Sequence, residues 1–208
     1  MTRDKIVAAI GDAVAAMSWW EVAAVVLALG YLILAMRENS LCWYTAFIST
    51  SIYIFLFWDV SLLMESALQI FYLVMAVYGW WQWRSGGNEQ TLRIHRWSFL
   101  RHIVVIAAVG ILTLGFGYIL QTSTHAALPY LDSFTTWGAV VTTYMVTRKV
   151  LENWIYWIVI DGVSVYLYID RELYLTALLF VLYVVLVVIG FFQWRLIYNR
   201  ENAVTSTP

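Results

Sequence analysis

Residues 190–195 read GFFQWR, and 111 positions earlier residues 79–84 read GWWQWR. Matching ends of this kind mark a duplicated unit. Extended without a gap, the same shift superposes 19–84 on 130–195. Arg37 then meets Arg148, Trp43 meets Trp154, Asp59 meets Asp170, Leu62 meets Leu173 and Tyr72 meets Tyr183. Each copy holds three apolar stretches, and one further stretch separates the copies. The shift therefore spans an even number of helices, and both copies run through a bilayer in the same sense. Parallel repeats with a site near the midplane between them are one transporter plan.

Composition puts the chain in a membrane. Of 208 residues, 62% are hydrophobic and only 12% charged, against about 45–50% and 25% in a soluble domain. Seven stretches approach the roughly 20 apolar residues a spanning helix needs: 19–36, 41–58, 62–83, 99–120, 132–147, 153–169 and 173–194. The expected fold is all-α and polytopic, with seven transmembrane helices as two parallel three-helix bundles joined by a linker helix (3+1+3). Its parts are an amphipathic N-terminal segment (1–18), the first bundle (19–84), a connection (85–129), the second bundle (130–195) and a cytoplasmic tail (196–208). The connection holds a cytoplasmic loop, the linker helix 99–120 and an outer loop.

Orientation follows from the cations. One side holds Arg37, Arg84, Arg93, Arg96, Arg101, Arg148, Lys149, Arg195 and Arg200; the other holds Arg3, Lys5 and Arg171. The excess marks the cytoplasmic side, which places the N-terminus outside and the C-terminus inside. A net charge of −1 and the lack of a basic cluster point away from nucleic acid. Cys42 is the single cysteine, so no disulfide within the chain and no cysteine metal cluster is expected. His95, His102 and His125 show no metal or triad spacing, and no Gly-rich phosphate loop occurs. The chain is expected to be no enzyme and to need no cofactor.

The chemistry concentrates in 148–170, RKVLENWIYWIVIDGVSVYLYID. Asn153, Trp157 and Asp161 recur every four residues and share a helix face, with Ser164 close to it. An aspartate at the centre of a span costs about 2.5–3.5 kcal/mol, and such residues usually mark a pathway or ligand site. The competing reading is that Asp161 bonds a neighbouring hydroxyl and only glues helices together. The third stretch adds Glu65, Gln69 and Tyr72 on one face; Glu65, near the outer end, also fits a solvated position. Tyr183 is the repeat counterpart of Tyr72. Most of the twelve tryptophans fit the interfacial aromatic belt: Trp19, Trp20 and Trp58 at outer ends, and Trp43, Trp81, Trp83, Trp97, Trp154 and Trp194 at inner ends. Trp137 and Trp157 lie too deep for that, and Trp80 is intermediate. These three are ligand candidates, with core packing as the alternative.

The segments RKVLENWIYWIVID, YLYIDRELYLTALLFVLYVVLVVIGFFQWR and VYGWWQWR resemble the PnuC family of bacterial vitamin transporters, and the resemblance runs from about residue 19 to 195. It implies a fold related to the SWEET sugar transporters and a bacterial inner-membrane location. It also implies facilitated diffusion of nicotinamide riboside for NAD synthesis, trapping by a cytoplasmic kinase, and assembly as trimers. It supports Asn153, Trp157, Gln69 and Tyr72 as substrate-binding residues; Asp161 rests on the helix-face reading alone. The family also includes thiamine and riboflavin carriers, which stand as the alternative. A non-transporting membrane scaffold or enzyme subunit is the remote one.

Overall fold

The computed structural model describes residues 3–59, 63–84, 92–123 and 128–205, apart from the side chains of 3, 57, 63–67 and 204–205. The chain forms helices α1 (Arg3–Ala16), α2 (Trp19–Met36), α3 (Cys42–Asp59), α4 (Leu63–Arg84), α5 (Phe99–Ser123), α6 (Pro129–Thr147), α7 (Asn153–Asp170) and α8 (Tyr174–Thr205). By length and composition alone, Trp19–Met36, Phe99–Ser123 and Tyr174–Ala203 are apolar enough to cross a membrane. The other helices carry the hydroxyls, amides and acids singled out above, which lower their hydropathy. Exposed apolar side chains, among them Phe55, Leu100, Ile111 and Val185, cover the outside. Such a surface suits a multi-pass membrane protein.

Helix ends follow local chemistry. Ser18 and Glu21 close a capping box at the start of α2, and Pro129 opens α6, where its missing N–H costs nothing. Helices α2 and α6 end alike. Glu38 N–H donates to Ala35 O and Asn39 N–H to Leu34 O; Lys149 N–H donates to Val146 O and Val150 N–H to Met145 O. These are Schellman ends, 111 residues apart, with Glu38 and Lys149 both at φ 52°. Glycine normally fills that left-handed position, and a side chain there costs about 1–2 kcal/mol.

Each helix packs on the next along α2, α3 and α4, and again along α5, α6, α7 and α8; α2 also meets α8, and α4 meets α6. Helix α1 lies on α8, which bears on the expected N-terminal segment. Helix α8 runs to Thr205, so residues 196–205 of the tail segment are helical. Leu196, Ile197 and Tyr198 continue its apolar pattern, and nothing before Thr205 breaks it.

Four tryptophans expected in the aromatic belt are core residues. Trp43, Trp83, Trp154 and Trp194 are 2%, 8%, 1% and 0% exposed. Trp43 meets Trp83 edge-on at 5.3 Å and 86°, and Trp154 meets Trp194 at 5.3 Å and 85°. Trp83 and Trp194, themselves repeat counterparts, join the two pairs at 6.1 Å. Glycine makes this packing possible: a Cβ on Gly79 would strike the Trp43 ring, and one on Gly190 would come within 2.6 Å of Trp154. Helices in lipid associate through close packing, with small residues at the contact. The belt position remains for Trp19, Trp20, Trp58 and Trp81, all more than half exposed.

Candidate functional site

The middle of α7 is buried and polar. Asn153 is 0% exposed, Asp161 4% and Ser164 5%. Asp161 lies eight residues into α7, about 12 Å from the helix start. Helix α6 approaches this level closely, because a Cβ on Gly138 would lie 3.0 Å from Ile160. The Ser164 hydroxyl donates to Ile160 O at 2.9 Å, its own helix one turn back. Among the described residues no hydrogen bond or ion pair reaches the Asp161 carboxylate, so the helix-glue reading finds no partner for it.

Two phenols act on Asp161 from other helices. Tyr72 of α4 and Tyr183 of α8 both lie within electrostatic reach of the carboxylate, and Tyr168 of α7 lies within reach of both phenols. Tyr53 of α3 stands near Tyr183 and Tyr168. Phe180 packs on Tyr168 at 5.0 Å and on Tyr183 at 5.4 Å. Tyr72 and Tyr183 occupy equivalent positions of the two repeats, so each repeat places one phenol within electrostatic reach of Asp161. Thr50, about one turn from Tyr53, is the counterpart of Asp161 and is also buried. Tyr53, Tyr168 and Phe180 are not among the substrate-binding candidates drawn from the sequence. A count of aromatic residues on the face that carries Asp161 would have found Tyr168, seven residues or about two turns further along α7.

The remaining candidates divide. Asn153 stands two turns from Asp161 toward the tryptophan core; its Nδ2 donates to Val150 O at 2.7 Å, while its buried Oδ1 has no partner among the described residues. Trp157, between them on α7, is half-buried and packs on that core, as does Trp80. The buried Trp80 Nε1 likewise has no partner among the described residues, and its ring meets Tyr44 and the Arg84 guanidinium. Gln69 is half-buried on α4, one turn before Tyr72. Trp137 sits at another seam, against Phe116 of α5 at 4.9 Å. The Glu65 side chain lies outside the described residues.

At the end of the bundle holding the tryptophans, Lys149 Nζ bonds Glu38 Oε2 at 2.8 Å and lies 4.8 Å from the centre of the Trp83 ring. Trp194 Nε1 donates to Ala35 O at 3.0 Å. This end is thus closed by contacts between the repeats. Beside it, Glu152 accepts from Arg96 Nε at 2.7 Å and from Trp97 N–H at 3.3 Å. Backbone bonds between His95 and residues Lys149 and Leu151 fasten the segment before α5 to the start of α7. The Glu152 carboxylate holds the Arg96 guanidinium above the ordinary arginine range, first through their hydrogen bond and then through their charges.

Asp161 is thus a buried acid with one phenol of α4 and one of α8 within its electrostatic reach, in an all-helical chain with an apolar outer surface. The family profile described as nicotinamide mononucleotide transporter matches residues 18–196, and the chain belongs to that family. The nicotinamide riboside transporter PnuC of Escherichia coli (strain K12) is 24% identical over 205 residues, covering 86% of this chain and 85% of that one. The riboflavin/roseoflavin transporter RibM of Streptomyces davaonensis is 25% identical over 192 residues, covering 88% of each. The crystal structure of the vitamin B3 transporter PnuC shares the fold, with a TM-score of 0.72, 20% identity and coverage of 96% of this chain and 94% of that one.

Proposed function

We propose that the protein carries nicotinamide riboside across the bacterial inner membrane by facilitated diffusion, at a site centred on Asp161. The observation that carries this reading is a buried carboxylate with Tyr72 and Tyr183, one phenol from each repeat, within its electrostatic reach and without an ion-pair partner among the described residues. Nicotinamide riboside is a pyridinium cation. Aromatic faces attract such a cation by about 0.5–2 kcal/mol, and the carboxylate supplies its counter-charge. Gln69 and Asn153 offer amides to the carboxamide and the ribose hydroxyls, and Trp157 a stacking face. Trp80 borders the path at the tryptophan end, Trp137 at the α5 seam.

The same site disfavours a nucleotide. All twelve Lys and Arg residues lie at helix ends, in connections or in the last third of α8. A phosphate beside Asp161 would meet an acid and no cation, and an uncompensated buried charge costs several kcal/mol. Riboflavin is neutral and gains nothing from the carboxylate. Thiamine, a flat cation, is the alternative the site itself admits.

In this reading α2–α4 and α6–α8 are two three-helix units in a SWEET-like 3+1+3 arrangement, with α5 as the linker. The N-terminus lies outside, and the end holding Glu38 and Lys149 is cytoplasmic. Substrate enters from outside and leaves when the contacts between the repeats at that end part. A cytoplasmic kinase then traps the riboside by phosphorylation, since the chain has no nucleotide-binding loop of its own to drive uptake. Three copies assemble through their apolar outer faces.

Binding titrations on purified protein and counterflow into liposomes test the proposal together. Riboside is expected to bind most tightly, with the mononucleotide about a hundred-fold weaker or worse, as an unpaired buried phosphate requires. Thiamine or riboflavin binding more tightly than riboside would reassign the substrate. Binding without counterflow would favour a scaffold or enzyme subunit.

A further inference from the structure

A second polar site lies away from Asp161. His95 and Trp97 before α5, Arg101 in its first turn, and Tyr144 and Arg148 at the end of α6 line a cleft of about 240 Å³. The lining holds two guanidiniums and no carboxylate. Among the described residues Arg101 has no ion pair, and Arg148 has only the neutral Tyr78 hydroxyl, at 3.4 Å. The nearest acid in sequence, Glu152, already holds Arg96 and the Trp97 N–H. The positive end of the α5 macrodipole lies here too. A pair of uncompensated guanidiniums suits a phosphoryl group, whose oxygens they bind in forked pairs.

An apolar rail leaves this cleft. Val104, Ala108, Ile111 and Gly115 follow Arg101 at steps of three and four on one face of α5, and all are exposed. Tyr144, on the cleft wall, is 43% exposed. A soluble phosphate ester has no use for such a rail, whereas a phospholipid acyl chain does.

We propose that this cleft is a binding site for an anionic phospholipid, with the phosphoryl headgroup between Arg101 and Arg148 and one acyl chain along the exposed face of α5. The site rests on the membrane placement of the chain and is independent of what Asp161 binds. Lipid held there bridges the segment 92–98, α5 and α6.

Native mass spectrometry of the purified protein, supplied with equal amounts of phosphatidylglycerol and phosphatidylcholine, tests the site. Wild type is expected to keep phosphatidylglycerol in preference. Arg101→Gln and Arg148→Gln are each expected to lower that retention about five-fold, the worth of one cation near an anionic headgroup. Arg101→Lys should keep most of it. Arg101 is exposed, so the melting temperature of Arg101→Gln serves to verify an intact fold even if Arg148→Gln fails to fold. Equal retention of the two lipids, or retention unchanged in Arg101→Gln, overturns the proposal. Displacement of the lipid by micromolar adenosine monophosphate would assign the cleft to a soluble phosphate ester and overturn the lipid as occupant. Riboside binding is read separately and should not change in Arg101→Gln.

Discussion

Glu38 and Lys149 occupy equivalent positions of the two repeats, and their side chains meet across the repeat interface at 2.8 Å. Both sit at the left-handed residue of a Schellman end, where glycine would relieve the backbone. The strain is offset by what the side chains reach: each other and, for Lys149, the Trp83 ring. Their side chains are 17% and 11% exposed, and removing one partner of a buried pair costs about 3–5 kcal/mol. Lys149→Glu and Glu38→Lys should therefore each lower the melting temperature in detergent. The double exchange should regain most of the loss but not all, because a glutamate at 149 gives up the cation–π contact, worth about 0.5–2 kcal/mol. If the double exchange is no better than the single reversals, the pair does not hold the repeats together.

The two glycines under the tryptophans make a sharper packing test. Gly79→Ala and Gly190→Ala force rings at the centre of the core to move, and overpacking of this kind costs about 1–3 kcal/mol. Gly110→Ala meets open space and should leave thermal stability unchanged in the same assay.

The helices were readable because apolar length is a linear property. All seven expected stretches coincide with helices to within a few residues at their N-terminal ends. The tryptophan core was misread because a Trp at a helix end looks the same in sequence whether it faces lipid or its repeat counterpart. The glycine one turn before Trp83 and before Trp194 was visible; that Trp43 and Trp154 fill the space over those glycines was not. The Glu38–Lys149 pair was hidden for a related reason. The two residues have opposite charge, so superposing the copies shows a mismatch, and only contact across the interface makes it a pair. The phenols within reach of Asp161, Tyr72 and Tyr183, come from two other helices, which no single helix face displays.

That correction changes what a tryptophan scan should find. Trp43→Ala, harmless for a belt residue, now removes a ring that is 2% exposed and should destabilise by about 3–5 kcal/mol. Trp81→Ala, at 54% exposure, should change stability little. Thermal unfolding of the two variants side by side decides between belt and core.

The acid carries the strongest functional prediction. Asp161→Asn keeps the volume and a hydrogen-bonding head but removes the charge. The loss of affinity for nicotinamide riboside should be about ten- to a hundred-fold, the range for an interaction with a charged partner. Affinity for a neutral analogue with a reduced, uncharged nicotinamide ring should change far less, since that ligand never used the charge. Tyr72→Phe and Tyr183→Phe keep the aromatic faces, so each should weaken binding less than Asp161→Asn does. Trp157→Ala and Asn153→Ala should weaken riboside binding while leaving the protein folded. Calorimetric titration of the charged and neutral ligands reads all these effects at once. Equal losses for both ligands in Asp161→Asn would mean that the carboxylate shapes the site rather than pairing with the pyridinium.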